Sequence, residues 1–108
     1  MPDFWTRMQK ADADITTRAT GMRDHVFADG ALTRRTKELI YLGMCCATRF
    51  PDGIRIHARR ALEHGATRAE VHEAVALSVV AAGIPAYREA VKLLWEVLWP
   101  ELPPPTGT

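Results

Sequence analysis

The junction Arg49-Phe50-Pro51-Asp52-Gly53 interrupts the most apolar part of the chain and constrains its fold more than any other feature. It separates a helical segment that contains Glu38 from a second segment that contains His57. Pro51 fits the first position of a new helix, so one helix ends and another begins within these five residues. Two helices joined by so short a turn must pack side by side and antiparallel. Glu38 and His57 are therefore not automatically in contact, and they share a pocket only if the inner faces of the two helices converge.

Apolar spacing and capping signals predict an all-α domain of five to six helices, with short connections and no strand. The clearest local signal is the capping box Thr67-Arg68-Ala69-Glu70. Thr33 is predicted to be an N-cap, Gly30 a C′ residue, and Pro85 the start of the last helix. The remaining predictions are a first helix capped by Asp3, a second helix over roughly Asp14–Phe27, a fourth helix that ends at Gly65, a fifth helix over Val71–Ala82, a sixth helix that ends at Pro100, and a proline-rich tail, 101–108, without core residues.

Length and charge limit the classes of function. The chain has 108 residues and a formal net charge of +1. This length fits one domain, which we place at 1–100. The near-neutral charge gives no electrostatic reason to expect nucleic acid or an anionic membrane as a partner, and no apolar run approaches a membrane span. The N-terminal MPDFWTRMQK lacks the basic start and continuous apolar segment of a signal peptide, so we expect a cytoplasmic protein.

Cys45 and Cys46 are adjacent in a predicted helix. Neighbouring helical side chains point about 100° apart, so these two cannot form a relaxed disulfide. They also lack the spacing of a redox pair or a zinc site. We expect both to be small buried core residues.

The third, fifth and sixth predicted helices are apolar on more than one face, and so short a chain has too little interior to cover them all. Homo-oligomerisation is the simplest remedy. Trp95 and Trp99 are candidate interface anchors; the alternative is that they are partly exposed core residues.

Glu38 lies at the edge of an apolar run, where an unpaired carboxylate is costly and needs a cation or a hydrogen-bond donor. His57 is one candidate donor. A Glu–His pair makes a proton-transfer device, because the carboxylate fixes the imidazole tautomer and supports its charged form. The alternative is that Glu38 pairs with Arg34, Arg35 or Lys37, or faces water.

Four arginines crowd around the same junction. Together they are able to bind the carboxylates of a small anionic substrate, because guanidinium groups recognise carboxylates in a bidentate manner. The alternative is an ordinary solvated face. The four are Arg49, Arg55, Arg59 and Arg60, of which the first three are the predicted substrate-binding residues.

A metal site has weak support in the histidine pattern. His57 and His64 are seven residues apart, about two helical turns, which is too far to chelate one ion without help. His25 and His72 have less context still. No HxxxH or HExxH spacing occurs, and phosphate loops, GxSxG elbows and dinucleotide fingerprints are absent as well. The sequence therefore predicts no metal site.

The order of several short motifs is similar to one known family. The run ADGALTRRTKELIYLG, His57 nineteen residues after Glu38, and the run HARRALEHGATRAEVHEAVALSVVAAGIPA resemble the carboxymuconolactone decarboxylase family from Ala28 to the end of the sixth helix. The motif order is DGxL, KEL, HxR, GATxxEV and AGxPA. The resemblance implies an alkylhydroperoxidase-D-like helical fold and a ring-like homo-oligomer, a trimer or a hexamer. It also implies that Glu38 and His57 form the catalytic site near a subunit boundary.

Alkylhydroperoxidase-like members of that family carry a CxxC four residues ahead of the histidine, and they use it as a thiol pair. The corresponding positions here are Phe50 and Gly53. Cys45 and Cys46 fall on the preceding helix and do not replace the pair. The resemblance therefore points to the decarboxylases, and we expect thiol peroxidase activity to be absent.

The resemblance implies a cofactor-independent carboxy-lyase that acts on a small carboxylated lactone or oxo acid, as in the catabolism of aromatic compounds. Loss of CO₂ would leave an enolate-like carbanion, to which His57, oriented by Glu38, would return a proton. Arginines would hold the anionic groups. Two alternatives are a non-catalytic oligomeric small-ligand-binding protein of the same fold and a metal-assisted enzyme that uses His57 and His64.

Overall fold

A computed structural model describes residues 4–104 and residue 106. No strand occurs in that part of the chain, so the predicted all-α class is confirmed. The chain divides into two compact units, residues 1–30 and 31–108. The predicted cap Asp3 and part of the predicted tail lie outside the described residues. The helices are α1 Phe4–Ala11, α2 Ala13–Phe27, α3 Arg34–Ala47, α4 Pro51–Glu63, α5 Arg68–Ala82 and α6 Ile84–Leu98.

The first unit is a pair of helices. Asp12 caps α2, and its carboxylate accepts a hydrogen bond from the Ile15 backbone N–H at 3.0 Å. The prediction that Gly30 is the C′ residue of this helix is wrong. The C-cap is Ala28, whose backbone is already extended, so the C′ position falls on Asp29, one residue earlier, and no left-handed residue is needed there.

Helix caps in the second unit follow the sequence signals closely. Thr33 Oγ1 accepts from the Thr36 backbone N–H at 3.2 Å and begins α3. Thr67 and Glu70 form the predicted capping box: each backbone N–H donates to the side chain of the other residue. Gly83 ends α5 and begins α6, so the chain changes direction over a single residue. Its φ of 84° is a left-handed value that glycine adopts without a steric cost.

The connection from α3 to α4 is as short as predicted. The residue that reverses the chain is Arg49, whose φ of 61° lies in the left-handed region. The backbone N–H of Phe50 then donates to the Cys45 carbonyl at 2.9 Å, and Pro51 opens α4. As a result, α3 and α4 pack side by side as an antiparallel pair.

The core of the second unit lies where α3, α4, α5 and α6 meet. Both cysteines are free and buried in it, as predicted. At Gly43 an added Cβ would lie 3.4 Å from the Ala74 carbonyl oxygen, so a small residue lets α3 and α5 approach closely. Burying each large apolar side chain contributes roughly 1.5–3 kcal/mol. The fully buried apolar side chains include Leu42, Ile54, Val71, Val75 and Leu94.

The residues that follow α6 are tied back to the helices. Arg68 on α5 pairs with Glu101 at 3.2 Å, and the indole N–H of Trp95 donates to the Pro103 carbonyl at 3.0 Å. Trp95 and Trp99 contact each other with ring centroids 4.9 Å apart, and both are half-buried. Their role as interface anchors stays a prediction. In the described part of the chain, no helix combines the length and apolar character needed to cross a membrane.

Candidate acid–base site

The antiparallel pair α3–α4 brings Glu38 and His57 into direct contact. His57 Nδ1 lies 2.7 Å from Glu38 Oε2, and the Glu38 side chain is fully buried. Because a carboxylate only accepts hydrogen bonds, Nδ1 is the protonated nitrogen of a neutral imidazole here, and proton exchange with a ligand would use Nε2. The inner faces of the two helices therefore converge, which is the condition that the sequence analysis set for a shared pocket.

The second oxygen of Glu38 is held by Arg34. Arg34 Nε donates to Glu38 Oε1 at 3.0 Å from one turn earlier in α3. The two partners that the sequence offers as alternatives thus bind the same carboxylate, one on each oxygen. Arg35, the next residue, turns instead to Glu70, with an Nη1–Oε2 distance of 3.0 Å. Every buried side-chain nitrogen and oxygen of the described residues has a hydrogen-bond partner.

The surroundings of His57 favour its neutral form. The residue is only 7% exposed, and burial lowers the pKa of the imidazole below its usual value near 6.5. Hydrogen bonding and charge attraction from Glu38 raise the pKa but do not outweigh burial, while Arg60 and Arg34 lower it further by charge repulsion. His57 therefore rests as a base at neutral pH.

Tyr41 forms another wall around the imidazole. Its ring meets the ring of His57 edge to face, with centroids 4.5 Å apart. The Tyr41 hydroxyl also interacts with the Cys45 thiol, and burial, followed by Cys45 and Glu38, raises the pKa of Tyr41 above 10. The Tyr41 side chain is therefore a neutral phenol at neutral pH. Its ring packs against the imidazole of His57 and limits the orientation of that ring. Sequence reasoning missed this residue, although its position three residues after Glu38 on α3 was a usable signal.

The predicted substrate-binding arginines are not brought to this pair within one chain. Arg55 and Arg59 are two residues from His57 on either side, so each is rotated about 200° around α4 and is exposed on its far side. Arg49 is eleven residues after Glu38, about 16 Å along α3, and its Nε lies 2.8 Å from Glu89 Oε2.

The cations that do act on His57 are Arg34 and Arg60. Arg60 is three residues after His57 on α4, a spacing that places two side chains on the same face of a helix. The three-residue spacing from His57 was thus the signal that separates Arg60 from the other arginines near the junction. Closeness to the junction alone did not distinguish it from them.

Gly53 is tightly packed against Phe50, and the resemblance led us to expect that these two positions correspond to a thiol pair. A Cβ added to Gly53 would lie 2.6 Å from both Cys45 Sγ and Phe50 Cδ2, which real structures do not tolerate. The nearby thiols are poor nucleophiles, because burial raises the pKa of Cys45 and raises that of Cys46 to about 11. The local structure is therefore built around an apolar ring and a buried thiol.

His64, the other residue of the metal alternative, is the exposed C-cap of α4. Among the described residues, no group of three or more His, Cys, Asp or Glu side chains is arranged to hold a metal ion. His57 itself is bound to Glu38 through Nδ1. The described residues therefore supply no further ligand for a metal ion held by His57 and His64.

Comparison with known proteins identifies the family. The sequence profile of the carboxymuconolactone decarboxylase family matches residues 13–96. The chain belongs to this family. A crystal structure of the apo form of a carboxymuconolactone decarboxylase family protein from Legionella pneumophila superposes with a TM-score of 0.78, at 27% identity over 86% of this chain and 85% of that one. A Paracoccus denitrificans protein described as "uncharacterized protein 4 in cox locus" is 35% identical over 85 residues, which are 79% of this chain and 77% of that protein. The predicted resemblance is therefore confirmed.

Proposed function

We propose that this family member is a proton-transfer enzyme that decarboxylates a small carboxylated lactone or oxo acid without a metal or organic cofactor. One observation carries the proposal: His57 Nδ1 lies 2.7 Å from Glu38 Oε2 in a buried site, with Arg34 on the other carboxylate oxygen. A carboxylate that is held on both oxygens orients the imidazole and sets its tautomer. The membership of the chain in a family named after a decarboxylase supports the choice of reaction.

In the proposed reaction, the bond between the substrate carboxylate and its neighbouring carbon breaks, CO₂ leaves, and the electron pair stays as an enolate. The Nε2–H of a His57 imidazolium then protonates that carbon, and the imidazole takes a new proton from water. Because the pKa of His57 is lowered in the free protein, the imidazole must first gain a proton. An anionic substrate near His57 favours that gain, since an opposite charge raises the pKa of an imidazole.

Arg34 and Arg60 are the guanidinium groups that would hold the substrate carboxylates, because both already act on His57 electrostatically. Participation of Arg49, Arg55 or Arg59 in the same pocket would require contacts between copies of the chain. A homo-oligomer, either a trimer or a hexamer, is therefore part of this proposal, and sedimentation velocity of the purified chain tests it.

The experiment is CO₂ release from a panel of small carboxylated lactones and oxo acids. We expect His57→Asn to abolish turnover, because asparagine keeps a donor for Glu38 but cannot transfer a proton. The matched control His64→Asn changes an exposed histidine at the C-cap of α4 and should retain turnover. If His57→Asn retains the rate on a substrate that the unchanged protein converts, the role of His57 is refuted.

A second candidate function is ligand binding without chemistry. Little of the His57 side chain is exposed, and both carboxylate oxygens of Glu38 already have hydrogen-bond partners. These features also suit an ion network that only stabilises the fold, and they therefore favour a protein without catalysis. Three surface grooves of about 410, 520 and 540 Å³ are lined by other residues. A crystal soaked with a small acid separates the two functions. An acid ordered against His57 and consumed in solution supports the enzyme, whereas an acid that is bound but never converted supports the binder.

A further inference from the structure

A groove of about 410 Å³ lies between α4, α6 and the residues that follow α6. Arg55 and Arg59 line it from α4, on the side of that helix that faces away from His57. Lys92 and Trp95 line it from α6, and Pro104 lies at its end. Neither Glu38 nor His57 lines the groove, so within one chain it is separate from that pair.

The charges along this groove are unbalanced. It has three cations on its wall, Arg55, Arg59 and Lys92, and one carboxylate, Glu96. Arg55 reaches Asp52 only at 3.5 Å, between two exposed side chains, which is a weak ion pair. The ion pairs of the described residues include none at Arg59 or Lys92. Three neighbouring cations with so little compensation repel one another, and a bound anion would relieve that repulsion.

The arrangement of the cations suits a compact head group with two negative charges. Arg55 and Arg59 are one turn apart on α4, so their guanidinium groups project from the same face. Lys92 adds a third positive charge from the facing helix. Two guanidinium groups provide paired N–H donors, which match the oxygens of a phosphate or a carboxylate.

The remaining wall is apolar and is held in place. The Trp95 indole donates its N–H to the Pro103 carbonyl at 3.0 Å and contacts Trp99 in a tilted arrangement, with centroids 4.9 Å apart and an interplanar angle of 53°. Its ring is therefore fixed, and Pro104 lies beside it on the rim. A fixed aromatic wall next to cations suits a ligand that carries a flat apolar body behind its charged head.

We propose that this groove is a binding site for small dianions with a flat apolar body. Aryl phosphates and aromatic dicarboxylates share that chemistry: two negative charges meet Arg55, Arg59 and Lys92, and the ring lies along Trp95.

Titration of the full chain with phenyl phosphate and with phthalate tests the site, with the indole N–H resonance of Trp95 as the readout. We expect saturable binding of at least one of the two probes and a shift of that resonance. Inorganic phosphate lacks the apolar body, so its affinity should be lower by at least about 10-fold. That is the loss expected when about 1.4 kcal/mol of apolar contact is missing. Equal affinity for inorganic phosphate would overturn the role of the Trp95 wall.

Variants locate the binding. Arg59→Gln and Lys92→Gln should each weaken it by about 10-fold or more, because each removes a charge-assisted hydrogen bond. Glu96→Gln should strengthen it, because Glu96 is the one carboxylate among the described residues that line the groove. The control Arg18→Gln changes an exposed arginine of α2 that pairs with Asp14, and it should leave the affinity unchanged.

Two results would overturn the proposal: no saturable binding of either probe at millimolar concentration, or equal losses in Arg59→Gln and Arg18→Gln. His57→Asn should leave probe binding intact while abolishing decarboxylation. Failure of the groove and failure of the proposed function are therefore distinguishable.

Discussion

Glu38 and His57 are nineteen positions apart and lie on different helices, yet Glu38 Oε2 is 2.7 Å from His57 Nδ1. Their contact exists because the short turn after α3 forces α4 to run back along it. Arg34 completes the arrangement by binding the other Glu38 oxygen at 3.0 Å. A fully buried carboxylate is tolerated only with partners of this kind, so the loss of either partner would destabilise the whole arrangement.

Replacing Arg34 should cost far more stability than replacing its neighbour Arg35. Arg34→Ala leaves one oxygen of a fully buried carboxylate without its cation, and we expect the free energy of unfolding to fall by roughly 2–4 kcal/mol. Arg35→Ala breaks a pair with Glu70 whose side chains are about 40% exposed, so it should cost under about 1 kcal/mol. Urea unfolding of the two variants measures both values. Equal losses would contradict the importance of Arg34 for Glu38.

The stability of the protein should fall on mild acidification because of His57. The folded protein lowers the pKa of His57, so below pH 6.5 the unfolded chain binds more protons at this residue than the folded chain does. The stabilisation is therefore fully present above that pH and is lost as the pH falls through the lowered pKa. Unfolding of the unchanged protein and of His57→Asn at pH 7.5 and pH 5 measures the effect. The unchanged protein should lose more stability than the variant, and an equal loss would refute the predicted linkage.

Adding a methyl group at Gly53 should destabilise the fold. An added Cβ lies 2.6 Å from Cys45 Sγ and from Phe50 Cδ2, and we expect a loss of about 1–3 kcal/mol for Gly53→Ala. The same change at Gly21, within α2 and with no atom within 4 Å, should instead stabilise the protein by about 0.5–1 kcal/mol. Thermal unfolding compares the two. On a Cys45→Ala background, Gly53→Ala should cost less, and an unchanged cost would show that the sulfur is not the obstacle.

The thiols should be inert in the folded protein. Cys45 and Cys46 are buried, and burial raises the pKa of both, that of Cys46 to about 11. We expect iodoacetamide to alkylate neither thiol of the native protein at pH 8, and to alkylate both in urea. A peroxide-reduction assay with a dithiol donor should give no turnover. Rapid alkylation of native Cys45, or sustained peroxide turnover, would contradict the assignment of both cysteines to the core.

Much of this structure follows from local sequence rules. The capping box at Thr67–Glu70 and the helix start at Pro51 are decided by a few neighbouring residues, and both are where the sequence predicts them. The antiparallel packing of α3 and α4 was also predictable from the short turn, but the contact between Glu38 and His57 depended on how the inner faces of the two helices converge. Gly30 misled the prediction because Ala28 had already left the helical conformation.

Other features depend on rotation around a helix and on packing in three dimensions. Arg55 and Arg59 are close to His57 in sequence, but a step of two residues turns each to the other side of α4. The restriction at Gly53 arises from Cys45 on another helix, and no local pattern announces it. The lowered pKa of His57 likewise depends on how completely the surrounding helices cover the ring, which composition alone does not reveal.

The most direct test of the proton-transfer site is an NMR titration of the His57 ring in the unchanged protein, in Glu38→Gln and in Arg60→Gln. We predict a pKa below 6.5 in the unchanged protein, a still lower pKa in Glu38→Gln, and a higher one in Arg60→Gln, because Glu38 attracts the imidazolium and Arg60 repels it. A His57 pKa at or above 6.5 that neither substitution moves would contradict the assignment of His57 and Glu38 as a coupled acid–base pair.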